Sequence, residues 1–214
     1  MNKLLLLVII GIVAAKNIIL IGDSRFVGMA IYNMHFDYST KTPYGGTGSN
    51  IRSTTPKNYN GDSIHVSAEV SASVFTFVKG KDVYNSMVNQ LSKASQGTEV
   101  YLWLGVNNLA QEKTYNFYAG LAKTYTKCIF YVIPVTGVNE NKVSYIKNSN
   151  IKAFNVYLRN KVSSAKISNL KFRNILKSDN PNILADGTNI IGYSSDGLHY
   201  NSAGYTKIYN LMHK

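Results

Sequence analysis

The strongest constraint on the fold is an alternation. Short apolar runs of strand length recur along the chain, separated by segments whose apolar residues fall at helical spacing. Parallel strands joined through covering helices produce that pattern. The predicted strands are Asn17 to Ile21, Ile64 to Val70, Val100 to Leu104, Cys128 to Ile133 and Leu170 to Ile175. The predicted helices are Phe26 to Met34, Val83 to Ala94, Thr114 to Thr124, Asn148 to Val162 and Ser202 to Met212, with Asn201 capping the last. Helical crossovers imply an α/β fold, a three-layer α/β/α sandwich with a mostly parallel sheet of about five strands. The stretch Phe36 to Asp62, rich in Gly, Ser, Thr, Asn and Tyr and without clear period, is expected to lie as a loop over the sheet. At 214 residues the chain fits one domain.

The N-terminus reads differently. "MNKLLLLVIIGIVAA" has one lysine, an apolar run from Leu4 to Ala15, and small residues at Val13 and Ala15 where a signal peptidase would need them. The run is short for a bilayer, which needs about 20 apolar residues. Residues 1–15 are therefore expected to be a signal peptide, or failing that an N-terminal anchor, with 16–214 as the single folded domain. The expected location is secreted, extracellular or wall-associated, with no stable membrane insertion after cleavage.

The net charge of +12 comes from 23 Lys and Arg against 11 Asp and Glu, scattered rather than clustered. Such a surface attracts anionic polymers, a cell-surface polymer among them, but the plainer reading is a solvated lysine-rich exterior. No zinc-finger spacing, RNA-recognition signature or basic helix supports specific nucleic-acid binding. The four histidines are dispersed and the lone Cys128 sits in the apolar run "CIFYVIP", so no metal site, disulfide or cofactor is expected.

Gly-Asp-Ser occurs twice, at 22–24 and 61–63. Ligands of open parallel sheets bind beyond the carboxyl ends of the strands. Ser24 is at such an end, after Ile18 to Ile21 and before a helix whose N-terminal dipole would favour an anionic intermediate. Ser63 precedes its strand, so residues 61–63 read as a turn. Serine needs a base held by a third group. Among the histidines only His199 has a partner at suggestive spacing, Asp196 in "SSDGLHY", and Asn107 after Gly105 lies at another strand end where its amide can reach the same point.

Together these pieces resemble the SGNH hydrolases, the GDSL esterase and lipase superfamily, whose fold is of the flavodoxin-like kind. The resemblance rests on Gly22-Asp23-Ser24, Gly105-Val106-Asn107 and Asp196-Gly197-Leu198-His199, in that order, with "YVIPVTG" and "NSNIKAFN" as secondary likenesses. It implies Ser24 as nucleophile, His199 as general base and then acid, and Asp196 as its orienter. It implies oxyanion donors from the Ser24 N–H, the Asn107 amide and a third residue. That third position is a glycine in the family and Ser73 here, where a required positive φ would strain the chain. Asn108 replaces a frequent aspartate. Arg25, in place of the leucine of the familiar motif, is expected either to attract an anionic or polar substrate or to lie on the surface.

The expected function is a secreted serine esterase that removes acyl groups, acetyl in first place, from carbohydrate or cell-wall polymers. The substrate is then a small-molecule or polymeric ester, with a glycan favoured. A lipase or lysophospholipase, and a non-catalytic carbohydrate-binding protein on a decayed hydrolase scaffold, are the alternatives.

Overall fold

A computed structural model describes residues 15–39 and 50–214, so the apolar run up to residue 14 lies outside the described residues. Its sheet is built from β1 (Asn17–Gly22), β2 (Asn50–Arg52), β3 (Lys57–Tyr59), β4 (Asp62–Glu69), β5 (Glu99–Trp103), β6 (Ile129–Val132) and β7 (Leu170–Phe172). The order is β2-β4-β1-β5-β6-β7, with β3 paired to β4 off that path. Strands β4, β1, β5, β6 and β7 run parallel, as the apolar runs predicted.

Among the described residues five α-helices pack on this sheet: α1 (Ser24–Tyr32), α2 (Asp82–Lys93), α3 (Gln111–Thr124), α4 (Asn148–Ser164) and α5 (Ser202–Met212). Strand periodicity sorts the core into two halves. In β1, Ile19 and Ile21 pack with Met87 of α2, Tyr118 of α3 and Phe154 of α4. Ile18 and Leu20 pack on the opposite face with Met29 of α1 and Ile208 of α5. No β1 residue from Ile18 to Ile21 is more than 2% exposed. Burial on both faces is why these strands read as unbroken apolar runs.

The stretch from Phe36 to Asp62 corrects the sequence reading. It contains β2 and β3, both antiparallel to β4. Tyr59 pairs with Asp62 across a two-residue turn in which Asn60 and Gly61 have φ of 51° and 88°, the geometry an Asn-Gly hairpin favours. Asp62 and Ser63 are thus strand residues, with the turn one step earlier. Together β2 and β3 lie end to end along the outer edge of β4, and Ser53 fills the gap: its N–H donates to the Val66 carbonyl (2.9 Å) and its Oγ accepts the Val66 N–H (2.8 Å). Ser39 does the same for β2, donating its N–H to the Asn50 carbonyl (2.8 Å) and accepting the Arg52 N–H on Oγ (2.8 Å).

Candidate active site

The site forms where β1 gives way to α1. A Cβ on Gly22 would meet the Phe26 ring and the Trp103 carbonyl at 2.6 Å each, so only glycine lets the turn pass this close to β5. Asp23 then caps α1, its Oδ1 accepting the Arg25 N–H at 3.0 Å. Ser24 opens the helix and is 5% exposed.

Ser24 Oγ lies 2.8 Å from His199 Nε2, and His199 Nδ1 lies 2.6 Å from Asp196 Oδ2. The second carboxylate oxygen of Asp196 accepts the N–H groups of Leu198 and His199, both at 2.8 Å, so the Asp-Gly-Leu-His turn fastens its own acid against its own imidazole. Against the desolvation that raises it, hydrogen bonds from the His199 ring, the His199 N–H and the Leu198 N–H draw the Asp196 carboxyl down to about 2. An ionised carboxylate only accepts, which puts the proton on Nδ1 and leaves Nε2 to accept from the serine hydroxyl. The turn is braced from outside by Lys142, which donates to the Ser195 carbonyl at 2.6 Å.

Asn107 donates through Nδ2 to the Ala72 carbonyl at 2.9 Å, which brings it beside Ser73. The Ser73 N–H donates to the Thr76 hydroxyl at 3.2 Å. Ser73 does not have a positive φ; that conformation belongs to Ser71, with φ 63°. The strain anticipated at Ser73 is absent because the chain turns two residues earlier. Asn108 is exposed and closes a turn, its N–H donating to the Gly105 carbonyl at 3.0 Å.

Arg25 occupies neither place expected of it. The side chain is fully buried, and the guanidinium donates to the carbonyls of Thr136 (2.9 Å) and Gly137 (3.4 Å) while lying over the rings of Trp103 and Tyr200. Tyr200 donates to the same Gly137 carbonyl at 2.9 Å. The residue after Ser24 and the residue after His199 therefore meet on one peptide group. Burial removes Arg25 from any contact with a substrate.

Sequence reasoning also passed over Asp23, although an aspartate directly before a helix is the usual capping signal. Its carboxyl is fully buried, and that burial pushes it up to about 6, against the opposing pull of Arg25, the Arg25 N–H, His199 and the Val106 N–H. The bond from Val106 joins the serine turn to the loop that carries Asn107. The folded state holds the Asp23 proton more tightly than the unfolded chain, whose ordinary value is 3.8. The Asp23 contribution to stability should thus fall as pH rises from about 4 to about 6, by up to about 3 kcal/mol, and stay level above. Asp196 has the opposite sign, losing stability only as pH falls from 3.8 toward 2. Urea unfolding of the wild type and Asp23→Asn at pH 4.5 and 7 would check this: the wild type should show the decline and the variant should not.

Beside Ser24 and His199 is a cleft of about 650 Å³ whose lining includes Tyr32, Tyr38, Val70 and Tyr193. Among the described residues, no group of three or more His, Cys, Asp or Glu side chains is placed to hold a metal ion.

Neither a protein-family model nor a curated protein sequence matches the chain. Solved structures do match. A candidate SGNH hydrolase from Slackia heliotrinireducens superposes with a TM-score of 0.60 at 12% identity, over 92% of this chain and 97% of its own. A GDSL-like lipase from Bacteroides thetaiotaomicron gives 0.55 at 16% identity, covering 92% and 86%. A family 3 carbohydrate esterase from Clostridium thermocellum gives 0.52 at 16% identity, covering 92% of each chain. The chain has the fold of the SGNH hydrolases.

Proposed function

We propose that this chain is a serine ester hydrolase of the SGNH type, secreted or wall-associated, acting on short acyl esters, acetyl in first place, of carbohydrate or cell-wall polymers. The observation that carries the reading is the unbroken relay from Ser24 Oγ through His199 to Asp196, at 2.8 and 2.6 Å. In this reading Ser24 Oγ attacks the ester carbonyl while His199 Nε2 takes its proton. The oxyanion is met by the Ser24 N–H, at the positive end of α1, and by the free hydrogen of the Asn107 amide, whose other hydrogen is held by Ala72. His199 returns the proton to the departing alcohol. It then deprotonates the water that releases the acid from Ser24.

The cleft supports a ring-bearing alcohol. Tyr32 is 59% exposed there and stacks at 17° on Tyr205, which presents a fixed aromatic face. The neighbouring structure that is a carbohydrate esterase supports the same substrate class, and the lipase supports the long-chain alternative.

One observation favours a second reading, a carbohydrate-binding protein without catalysis: the Ser73 N–H already has a partner in Thr76. Labelling with a fluorophosphonate probe, read by peptide mass spectrometry, separates the two. Adduct on Ser24 that disappears in His199→Ala supports the hydrolase; absence of adduct on folded protein favours the binding protein. Initial rates on acetylated oligosaccharides and on long-chain esters then decide the acyl preference. Ser73→Gly should change the rate by less than about threefold, because there is no positive φ for glycine to relieve. A large gain in that variant would mean that the position limits the enzyme.

A further inference from the structure

At the opposite end of the sheet from the site, the backbone of Lys16 is held on both sides. Its N–H donates to Asp62 Oδ1 at 3.1 Å and its carbonyl accepts the Ser63 N–H at 2.8 Å. The other oxygen of Asp62 accepts the Tyr209 hydroxyl at 3.1 Å, which fixes the carboxylate in place. The side chain of Lys16 does not use Asp62. It has its own acid in Glu99, at 3.0 Å, and Glu99 is held in turn by the Tyr101 hydroxyl at 2.6 Å. A full carboxylate is therefore directed at a backbone nitrogen that, in an uncut chain, carries one hydrogen and no charge. The preceding residue, Ala15, is exposed, and small residues occur at Val13 and Ala15, three and one positions before Lys16.

We propose that the chain is cut between Ala15 and Lys16 and that the new α-ammonium of Lys16 pairs with Asp62, so that processing installs an ion pair at the foot of the sheet. A peptidase that reads small residues at those two positions catalyses the step. Water supplies hydroxyl to the Ala15 carbonyl, the C–N bond breaks, and the freed amine takes up protons to become an ammonium. The bond to Asp62 changes from a neutral donor to a charged one, a class roughly twice as strong. A terminus one residue ahead of the central strand would otherwise fray. Here the bond to Asp62 gains its charge, and that charge comes only after the leader is gone. The inference stands apart from the hydrolase reading, since it concerns neither Ser24 nor the cleft.

The test begins with the full chain expressed in a secreting host and an intact mass of the product. A mass beginning at Lys16 is expected; an uncut chain, or a mature chain beginning elsewhere, overturns the proposal. The second step compares thermal midpoints of the Lys16-initiated protein and of the same chain retaining Val13-Ala14-Ala15, in the wild type and in Asp62→Asn. The Lys16-initiated wild type should melt higher by about 3 °C, and the difference should vanish in Asp62→Asn. An equal difference in both backgrounds overturns the ion pair. A readout that needs no substitution is acylation of the α-amine by an activated ester near neutral pH, located by peptide mass spectrometry. The α-amine should react several-fold more slowly in the folded protein than after unfolding, and equal rates would count against the pairing.

Discussion

Ser24→Ala is expected to lower kcat for an activated acetate ester by on the order of 10⁴- to 10⁶-fold, with little change in KM or thermal midpoint. His199→Ala should cost about as much, and the double variant little more. In the proposed hydrolase the two groups perform one event: the serine oxygen becomes a nucleophile only as Nε2, at 2.8 Å, removes its proton. Losing either partner loses the event, so the penalties do not add. Stability should hardly move because Ser24 is a small side chain in the first turn of α1, and the cap there is the preceding Asp23. Steady-state kinetics of the two single variants and the double variant are the check. Penalties that multiply would mean that Ser24 and His199 act in separate steps.

The second large effect is on the fold. Arg25→Leu should lower the unfolding free energy by about 3–5 kcal/mol, which for a chain of this size is on the order of 10 °C in midpoint. The guanidinium is fully buried, supplies the carbonyls of Thr136 and Gly137, and is the charge that most opposes the desolvation of Asp23. Leucine fills part of the volume and supplies none of the donors. Activity should fall as well, since the clamp joins the segment bearing Ser24 to Tyr200, the neighbour of His199. Tyr200→Phe isolates that second role. It removes the hydroxyl that bonds the Thr136 hydroxyl and the Gly137 carbonyl while keeping the ring beneath Arg25. Thermal melts beside kcat for both variants separate packing from positioning.

The parallel strands were legible because burial on both faces leaves a continuous apolar run, and their helices because one stripe must meet the sheet. The edge strands were not, since β2 and β3 carry few apolar residues: "NIR" and "KNY" owe their place to pairing with β4. The Asn-Gly pair at 60–61 was the one local sign of that hairpin. The positions of Ser24 and Asn107 at strand ends could be read from pattern, as could the closeness of Asp196 to His199, because three residues of turn bring them together. Arg25 could not be read in this way. Its burial depends on two carbonyls more than 100 residues away and on the ring of Tyr200, and an arginine beside a candidate nucleophile otherwise suggests a substrate contact.

The outer edge of the sheet has a consequence for how copies of this protein can meet. A bare strand edge templates another, and growth by that route needs a row of unspent donors and acceptors. On the β4 side, among the described residues, Ser53 closes the β4 edge between β2 and β3 and Ser39 caps the outward groups of β2, each spending both its N–H and its hydroxyl on backbone groups. One small side chain, Ser39, thus blocks the addition of a further strand along β2. The other border, β7, is three residues long and carries Lys171 with Arg173 just beyond it, two cations that discourage pairing there.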